Sequence, residues 1–193
     1  MSVIRAFIAI ELPAAIQDQL RKVIFLLTPG TGMVRWVPPE NIHLTLKFLG
    51  DVESTKIQPL QSALRQEVGR CQSFEIRISG LGAFPNTHRP RVLWTGVQAP
   101  AELAALAQAV ESATVPLGFP TEDRPFSPHL TLGRVSQHAS PDEVTAIGAL
   151  IAKTVIGELG KAWVENLTLF RSDLRPTGAI YSAIDHPKLA NPA

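Results

Sequence analysis

The 193-residue sequence has a single cysteine, Cys71, and its 18 basic and 17 acidic side chains leave a net charge of only +1. One cysteine excludes an internal disulfide and a cysteine-based zinc site, and it suits a reducing compartment. The near-neutral charge argues against a protein that coats nucleic acid nonspecifically, but it leaves room for a local phosphate site. Because 45% of the residues are hydrophobic, the chain is not disordered, and its composition fits neither collagen nor a coiled coil.

Long apolar runs are absent from the sequence. The first apolar stretch, Val3 to Ile10, is interrupted by Arg5 and closed by Glu11 and Pro13. It is too short to span a bilayer, and the arginine interrupts it as the hydrophobic region of a signal peptide. We therefore interpret it as a first β-strand and expect a cytoplasmic protein that does not bind membranes.

The sequence also lacks the common signatures of dinucleotide, metal and serine-nucleophile sites. No glycine-rich loop follows the first strand, where Glu11-Leu12-Pro13 stands instead, and this argues against a parallel doubly wound sheet. There is no His-x-His, His-Glu-x-x-His or Gly-x-Ser-x-Gly motif. We therefore expect the protein to use neither a metal nor another cofactor.

The sequence does contain an internal repeat. The tetrapeptide His43-Leu44-Thr45-Leu46 recurs 86 residues later as His129-Leu130-Thr131-Leu132. In both copies a predicted strand, a proline and a predicted helix precede the motif, and a second predicted helix and strand follow it. The sequence therefore predicts two β-α-β-α-β halves, at about 1–90 and 91–185.

This alternation of strands and helices is typical of an α+β fold with antiparallel or mixed sheets, in which two halves related by a pseudo-twofold axis flank a central cleft. No linker separates the halves, so we expect one bilobal domain over 1–185, and a monomer. The strand after the second motif's helix is expected at 163–170, and a final strand at 178–184. We expect the tail, 186–193, to be frayed.

The repeated motif presents two imidazoles and two hydroxyls. Alternate side chains of a strand point to the same face, so His43 shares a face with Thr45, and His129 with Thr131. Two histidines on opposite sides of a phosphorus suit a general base and a general acid near neutral pH, and threonine hydroxyls can donate to phosphate oxygens. One His-Leu-Thr-Leu is ordinary for a half-buried strand, but packing does not require the same polar pair twice.

These motifs resemble those of the RNA 2′,3′-cyclic phosphodiesterases, the LigT-like "2′-5′ RNA ligases" of the two-histidine phosphoesterase superfamily. The first signature is similar over residues 35–50, RWVPPENIHLTLKFLG, and the second over residues 126–134, FSPHLTLGR. Segments 4–10 and 169–181 are similar as well. The resemblance therefore covers nearly the whole chain.

The resemblance implies metal-free hydrolysis of a 2′,3′-cyclic phosphate to a 2′-phosphomonoester. It implies that His43 is the proton donor, His129 the proton acceptor, and that Thr45 and Thr131 bind the phosphate. The implied substrate is RNA with a cyclic phosphate end, tRNA fragments among them, and the family also joins RNA ends through 2′-5′ linkages. Two alternatives remain open: a phosphodiesterase acting on a cyclic nucleotide or an ADP-ribose cyclic phosphate, and a non-catalytic RNA or nucleotide binder.

Three residues near the motifs are secondary candidates. Arg134 belongs to the second signature and can neutralise phosphate charge, although strict alternation places it on the opposite face from His129. Phe48 and Trp36 flank the first motif and are candidates to stack on a base. Strict alternation places Phe48 on the same face as Leu46, and Trp36 also fits the hydrophobic core.

Two arginines in a basic turn, Arg89 and Arg91, are further candidates for contact with RNA, against the simpler interpretation of a solvated turn. His138 and His186 belong to no such pattern, and we expect both on the surface.

Overall fold

The structure, a computed structural model, describes residues 2–98, 100–122, 125–175 and 178–191. Within these ranges the chain forms nine β-strands and four α-helices, and all pairs of neighbouring strands in its two sheets are antiparallel. The helices are α1 (Ala14–Leu27), α2 (Ser54–Val68), α3 (Ala101–Thr114) and α4 (Pro141–Lys153). The strands are β1 (Val3–Ile10), β2 (Val34–Trp36), β3 (Leu44–Glu53), β4 (Phe74–Phe84), β5 (Val92–Gln98), β6 (His129–Val135), β7 (Glu158–Val164), β8 (Thr168–Arg175) and β9 (Gly178–Asp185).

The strands form two sheets, ordered β3-β1-β8-β9 and β2-β6-β5-β4-β7. Helices α2 and α3 pack against each other and against β3, whereas α1 packs against β7 and α4 against β4. Each sheet therefore carries its own pair of helices, and the two units are the lobes of the molecule. This arrangement confirms the predicted α+β fold. None of the described helices is long and apolar enough to cross a bilayer.

The helices begin and end for local reasons that the sequence shows. The start of α4 is a capping box, in which the Ser140 hydroxyl accepts from the Glu143 N–H and the Glu143 carboxylate accepts from the Ser140 N–H. Pro141 stands at the first helical position, where its missing N–H costs nothing. The apolar faces of α1 and α2 repeat at helical spacing and are buried.

The two lobes do not coincide with the two halves of the sequence. Strands β1 and β3 come from the first half, but β8 and β9 from the second half complete their sheet. Conversely, β4 from the first half pairs with β5 and β7 from the second. Each sheet therefore contains strands from both halves of the sequence.

The strand predicted at 163–170 is wrong as a single element. Its first residues end β7 and its last residues begin β8, because the chain leaves one sheet at Val164 and enters the other at Thr168. Asn166 in the connection forms a bridge with Lys188 instead. The final strand is confirmed and extends to Asp185.

The expectation of a frayed tail is also wrong for residues 186–191, while 192 and 193 lie outside the described residues. Leu189 is buried, and its N–H donates to the carbonyl of Glu165 at 2.8 Å. The N–H of Ala190 donates to the carbonyl of Cys71, also at 2.8 Å. One buried leucine and these backbone hydrogen bonds hold the tail, which its polar, proline-containing sequence does not indicate.

Both motif strands contain a β-bulge directly after the motif threonine. In β3, Thr45 pairs with Ala9 and Lys47 pairs with Ile8, so Leu46 is the extra residue. A bulge shifts the alternation of side chains by one position. Lys47 is therefore buried, beside Glu111 of α3, and Phe48 is exposed.

The second bulge is equivalent. Thr131 of β6 pairs with Trp94 and Gly133 pairs with Leu93, so Leu132 is the extra residue. Gly133 is buried and Arg134 is exposed, on the same face as Thr131. Arg134 and Phe48 thus occupy equivalent positions in the two motif strands.

Candidate active site

A cleft of about 210 Å³ lies between the two sheets. Strands β1, β3, β8 and β9 line it from one lobe and β6 from the other, so both lobes are needed to form it. The lining residues that carry polar or aromatic groups are Arg5, Phe7, Asn41, His43, Thr45, Phe48, Thr131, Arg134, Ser172 and Tyr181.

His43 lies immediately before β3, with its ring oriented by its neighbours. Its Nδ1 donates to the carbonyl of Asn41 at 2.9 Å, and because a carbonyl can only accept, Nδ1 carries the proton of the neutral ring. The ring stacks on Phe7, with centroids 4.7 Å apart, and meets the edge of Tyr181 at 5.3 Å. Burial lowers the pKa of His43 to about 4, against the opposing effects of the Asn41 hydrogen bond and the Glu11 charge. Nε2 is left as the reactive nitrogen.

His129, the first residue of β6, is held in the same way. Its Nδ1 donates to the carbonyl of Ser127 at 2.7 Å, again two residues upstream. The ring meets Phe84 edge-on, with centroids 4.9 Å apart, and Trp94 lies at 6.5 Å. His129 is two residues from Thr131 on the same face of β6, and Thr131 lines the cleft. Nε2 is therefore the free nitrogen in both histidines.

Besides His43, the structure brings four predicted residues to the cleft, whereas His129 is not among the residues that line it. Thr45 and Thr131 are half-buried and line it from opposite lobes. Arg134 lines it too, because the bulge at Leu132 reverses the alternation that would have placed it on the other face. The corresponding bulge brings in Phe48, whose side chain is 60% exposed and so available to a ligand.

Trp36 and Arg89 do not line the cleft. Trp36 is partly buried against the hydrophobic core and faces Gly133, where a Cβ would lie 2.9 Å from the indole. Its candidacy for base stacking is wrong, because β2 packs this ring under the sheet rather than over the cleft. Arg89 lies in an exposed turn whose backbone is tied to the Asn86 side chain. Arg91 does not line the cleft either, but it borders a shallow depression next to Arg134.

His138 and His186 lie on the surface as expected. His138 is exposed, and so is His186, although its Nδ1 lies 3.1 Å from the Thr168 hydroxyl and 3.7 Å from the Glu11 carboxylate. Among the described residues no group of three or more His, Cys, Asp and Glu is placed to hold a metal ion. That the reaction needs no metal stays a prediction.

Besides Asn41, which lies two residues before His43, four polar or aromatic cleft residues were missed by sequence reasoning: Arg5, Phe7, Ser172 and Tyr181. They belong to strands β1, β8 and β9, which are far from the motifs along the chain but neighbour β3 in the sheet. Phe7 and Tyr181 lie in segments that resemble the family, yet no spacing links them to His43. Only the order of strands shows that they form the aromatic wall behind its ring.

The family of the chain follows from a comparison of its sequence with profiles of known families. The profile of the family described as "LigT like Phosphoesterase" matches residues 10–94 and residues 96–181. The chain belongs to this LigT-like phosphoesterase family. Each matched stretch contains one His-Leu-Thr-Leu motif. The predicted family is thereby confirmed.

Several relatives of the LigT-like family align with almost the whole chain. The RNA 2′,3′-cyclic phosphodiesterase of Methanothermobacter thermautotrophicus is 35% identical over 182 residues, covering 94% of this chain and 97% of the relative. The protein of the same name from Archaeoglobus fulgidus is 35% identical over 177 residues, covering 92% and 96%. The crystal structure of E. coli LigT complexed with 3′-AMP superimposes with a TM-score of 0.77 at 28% identity, covering 97% and 99%.

Proposed function

We propose that this LigT-like protein is an RNA 2′,3′-cyclic phosphodiesterase that hydrolyses the cyclic phosphate at RNA ends to a 2′-phosphomonoester. The observation that carries this proposal is the pair of histidines whose Nδ1 atoms both donate to a carbonyl two residues upstream, at 2.9 and 2.7 Å. Each leaves one Nε2 available beside a cleft threonine. The names of the relatives support the same reaction.

Activation of the water molecule that attacks phosphorus is assigned to His129. Its Nε2 takes a proton from a water molecule, and the water oxygen forms the new bond to phosphorus in line with the bond that breaks. The P–O3′ bond breaks, and O3′ takes a proton from Nε2 of His43. The products are a 2′-phosphomonoester and a 3′-hydroxyl, and the two histidines finish with exchanged protonation states.

Because burial lowers the pKa of His43 to about 4, the free ring is neutral at neutral pH. A donor role therefore requires His43 to take up a proton when the substrate binds. The cyclic phosphate supplies the reason, since a nearby negative charge favours the protonated ring. Substrate binding and protonation of His43 are then coupled.

The phosphate oxygens are assigned to Thr45, Thr131 and Arg134, which line the cleft from both lobes. Hydroxyl and guanidinium donors there stabilise the charge that builds up on the non-bridging oxygens. Phe48 presents an exposed ring on the same face, where a base can stack. If an RNA 5′-hydroxyl replaces water, the same groups form a 2′-5′ linkage, which is the ligation chemistry of the family.

The test is turnover of RNA oligonucleotides with a 2′,3′-cyclic phosphate end in the presence of EDTA, with the products compared with 2′- and 3′-phosphate standards. We expect a 2′-phosphate product, and we expect His43→Ala and His129→Ala each to lower kcat by roughly 10²–10⁴-fold. His138→Ala is the matched control, because His138 is exposed and belongs to neither motif. Near-normal rates in both motif-histidine variants would contradict the mechanism. A 3′-phosphate product would contradict the leaving oxygen, and loss of activity in EDTA would contradict the metal-free route.

A further inference from the structure

Three neighbouring arginines, here called the row, lie at the edge of the cleft. Arg35 of β2 pairs directly with Arg134 of β6. Arg91 stands just before β5, next to Val92, the partner of Arg134, and it lines the depression beside Arg134. All three arginines are exposed.

No ion pair in the described part of the chain compensates the charges of this row. The ion pairs formed among the described residues include none of the three arginines. Like charges directly opposite each other on neighbouring strands destabilise a sheet. General basicity does not explain them, because the net charge of the chain is only +1. A row of unpaired guanidinium groups is suited to bind an anion.

The row is continuous with the cleft. Arg134 lines both the cleft and the adjacent shallow depression, which Arg91 and Gln137 also line. Arg35 extends towards the other lobe, since a Cβ placed on Gly178 of β9 would lie 3.8 Å from its Nη2. A ligand whose first phosphate is between the two histidines therefore meets these arginines next.

We propose that Arg35 and Arg91, which neighbour Arg134, form a second phosphate subsite, which binds the phosphate on the 5′ oxygen of the nucleotide that carries the cyclic phosphate. In RNA this group is the linkage to the preceding nucleotide. Arg134 itself contacts the cyclic phosphate. The inference rests on the proposed function for the position of the first phosphate. With this subsite, a nearly neutral protein would select an RNA end over a mononucleotide by adding one phosphate contact to the catalytic cleft.

Binding of products tests the subsite without depending on turnover. Calorimetry would compare uridine 2′-phosphate with uridine 2′,5′-bisphosphate on the wild-type protein and on Arg35→Gln and Arg91→Gln. A charge-assisted contact of this kind makes the bisphosphate bind roughly 10- to 100-fold more tightly to the wild type. Each variant should lose most of this preference. Arg70→Gln is the matched control, because Arg70 pairs with Glu67 outside the cleft and should keep it.

A second arm distinguishes RNA from a free nucleotide. The ratio of kcat/KM for a dinucleotide with a cyclic phosphate end to that for the cyclic mononucleotide should exceed ten, and a neutral methylphosphonate linkage should abolish the gain. Equal affinity of the wild type for the two uridine phosphates, or a preference that survives both variants, would overturn the subsite. A preference for the bisphosphate without any gain from the dinucleotide would overturn the assignment to RNA. If the wild type hydrolyses no cyclic phosphate but shows the arginine-dependent preference, the proposed function fails and the subsite stands.

Discussion

Binding of a cyclic phosphate to the LigT-like cleft should place a proton on His43. The ring stacks on Phe7 and meets Tyr181, and burial lowers its pKa to about 4. At pH 7 only about 0.1% of the free protein then carries the proton that a general acid must give away. The proposed donor role therefore requires that the bound substrate raise the pKa of His43.

The required change is within the reach of one phosphate charge. Raising the pKa of His43 from about 4 to about 7 corresponds to about 4 kcal/mol of interaction between the ring and the ligand. Two unit charges 4 Å apart interact by about 4 kcal/mol at an effective dielectric constant of 20. The energy needed and the energy available therefore agree, provided that the phosphate lies directly beside Nε2.

The coupling has a definite sign. At any pH between the pKa of the free ring and the pKa of the ring in the complex, His43 is protonated in the complex but neutral in the free protein. Affinity for the cyclic phosphate must therefore increase as the pH falls from about 7 towards about 4, by up to about tenfold per pH unit. Below about pH 4 both states are protonated and the His43 contribution to this increase ends.

The assay is calorimetric titration of His129→Ala, which should not turn over, with uridine 2′,3′-cyclic phosphate in buffers of different ionisation enthalpy. A cyclic diester stays a monoanion in this pH range, so it takes up no proton itself. We expect uptake of about one proton per ligand bound at about pH 6. The control is the double variant with His43→Gln, which should show no such uptake. If the single variant binds the ligand without taking up a proton, His43 remains neutral in the complex, and the acid and base must be exchanged.

Three further predictions concern the cleft and its support. Thr131→Val keeps the shape of the side chain but removes a donor to the phosphate, so kcat/KM should fall roughly 10- to 100-fold while the urea midpoint stays near that of the wild type. Glu111→Leu leaves Lys47 buried without its partner and should lower the free energy of unfolding by about 3–5 kcal/mol; the double variant with Lys47→Met should recover most of it in the same urea titration, and no recovery would contradict the pairing. Folding lowers the pKa of His43 below the unfolded value of about 6.5. The free energy of unfolding should therefore decline as the pH falls from about 6.5 to about 4, by at most about 3 kcal/mol for this residue. His43→Phe should reduce this decline.

The sequence was sufficient to predict the family and the pairing of each histidine with a threonine, but not the full set of cleft residues. Strand periodicity placed His43 with Thr45 and His129 with Thr131, because the two members of each pair are two positions apart and precede any irregularity. The same periodicity fails at Phe48. A bulge depends on how a strand pairs with its neighbour, and the pattern of a single strand does not contain that information.

The exchange of strands between lobes was beyond local reasoning for a related physical reason. Strand alternation depends on neighbours in the chain, so β1 and β9 were predicted within a residue. Which strand lies beside which is decided by long-range pairing, and β8 beside β1 could not be read from either segment alone. The aromatic wall behind His43 depends on this pairing, and so does the low pKa of that ring.

The duplication explains how a symmetrical scaffold can hold an unsymmetrical substrate. Both motif strands fix a histidine by a carbonyl two residues upstream, and both insert one extra leucine after the threonine. The bulges then turn outward two equivalent positions that carry different side chains, an aromatic ring at Phe48 and a guanidinium at Arg134. A nucleotide is unsymmetrical in the same sense, with an aromatic base at one end and a further phosphate at the other. The common backbone supplies the two histidines, and we expect the two bulge positions to determine which of them faces the leaving oxygen.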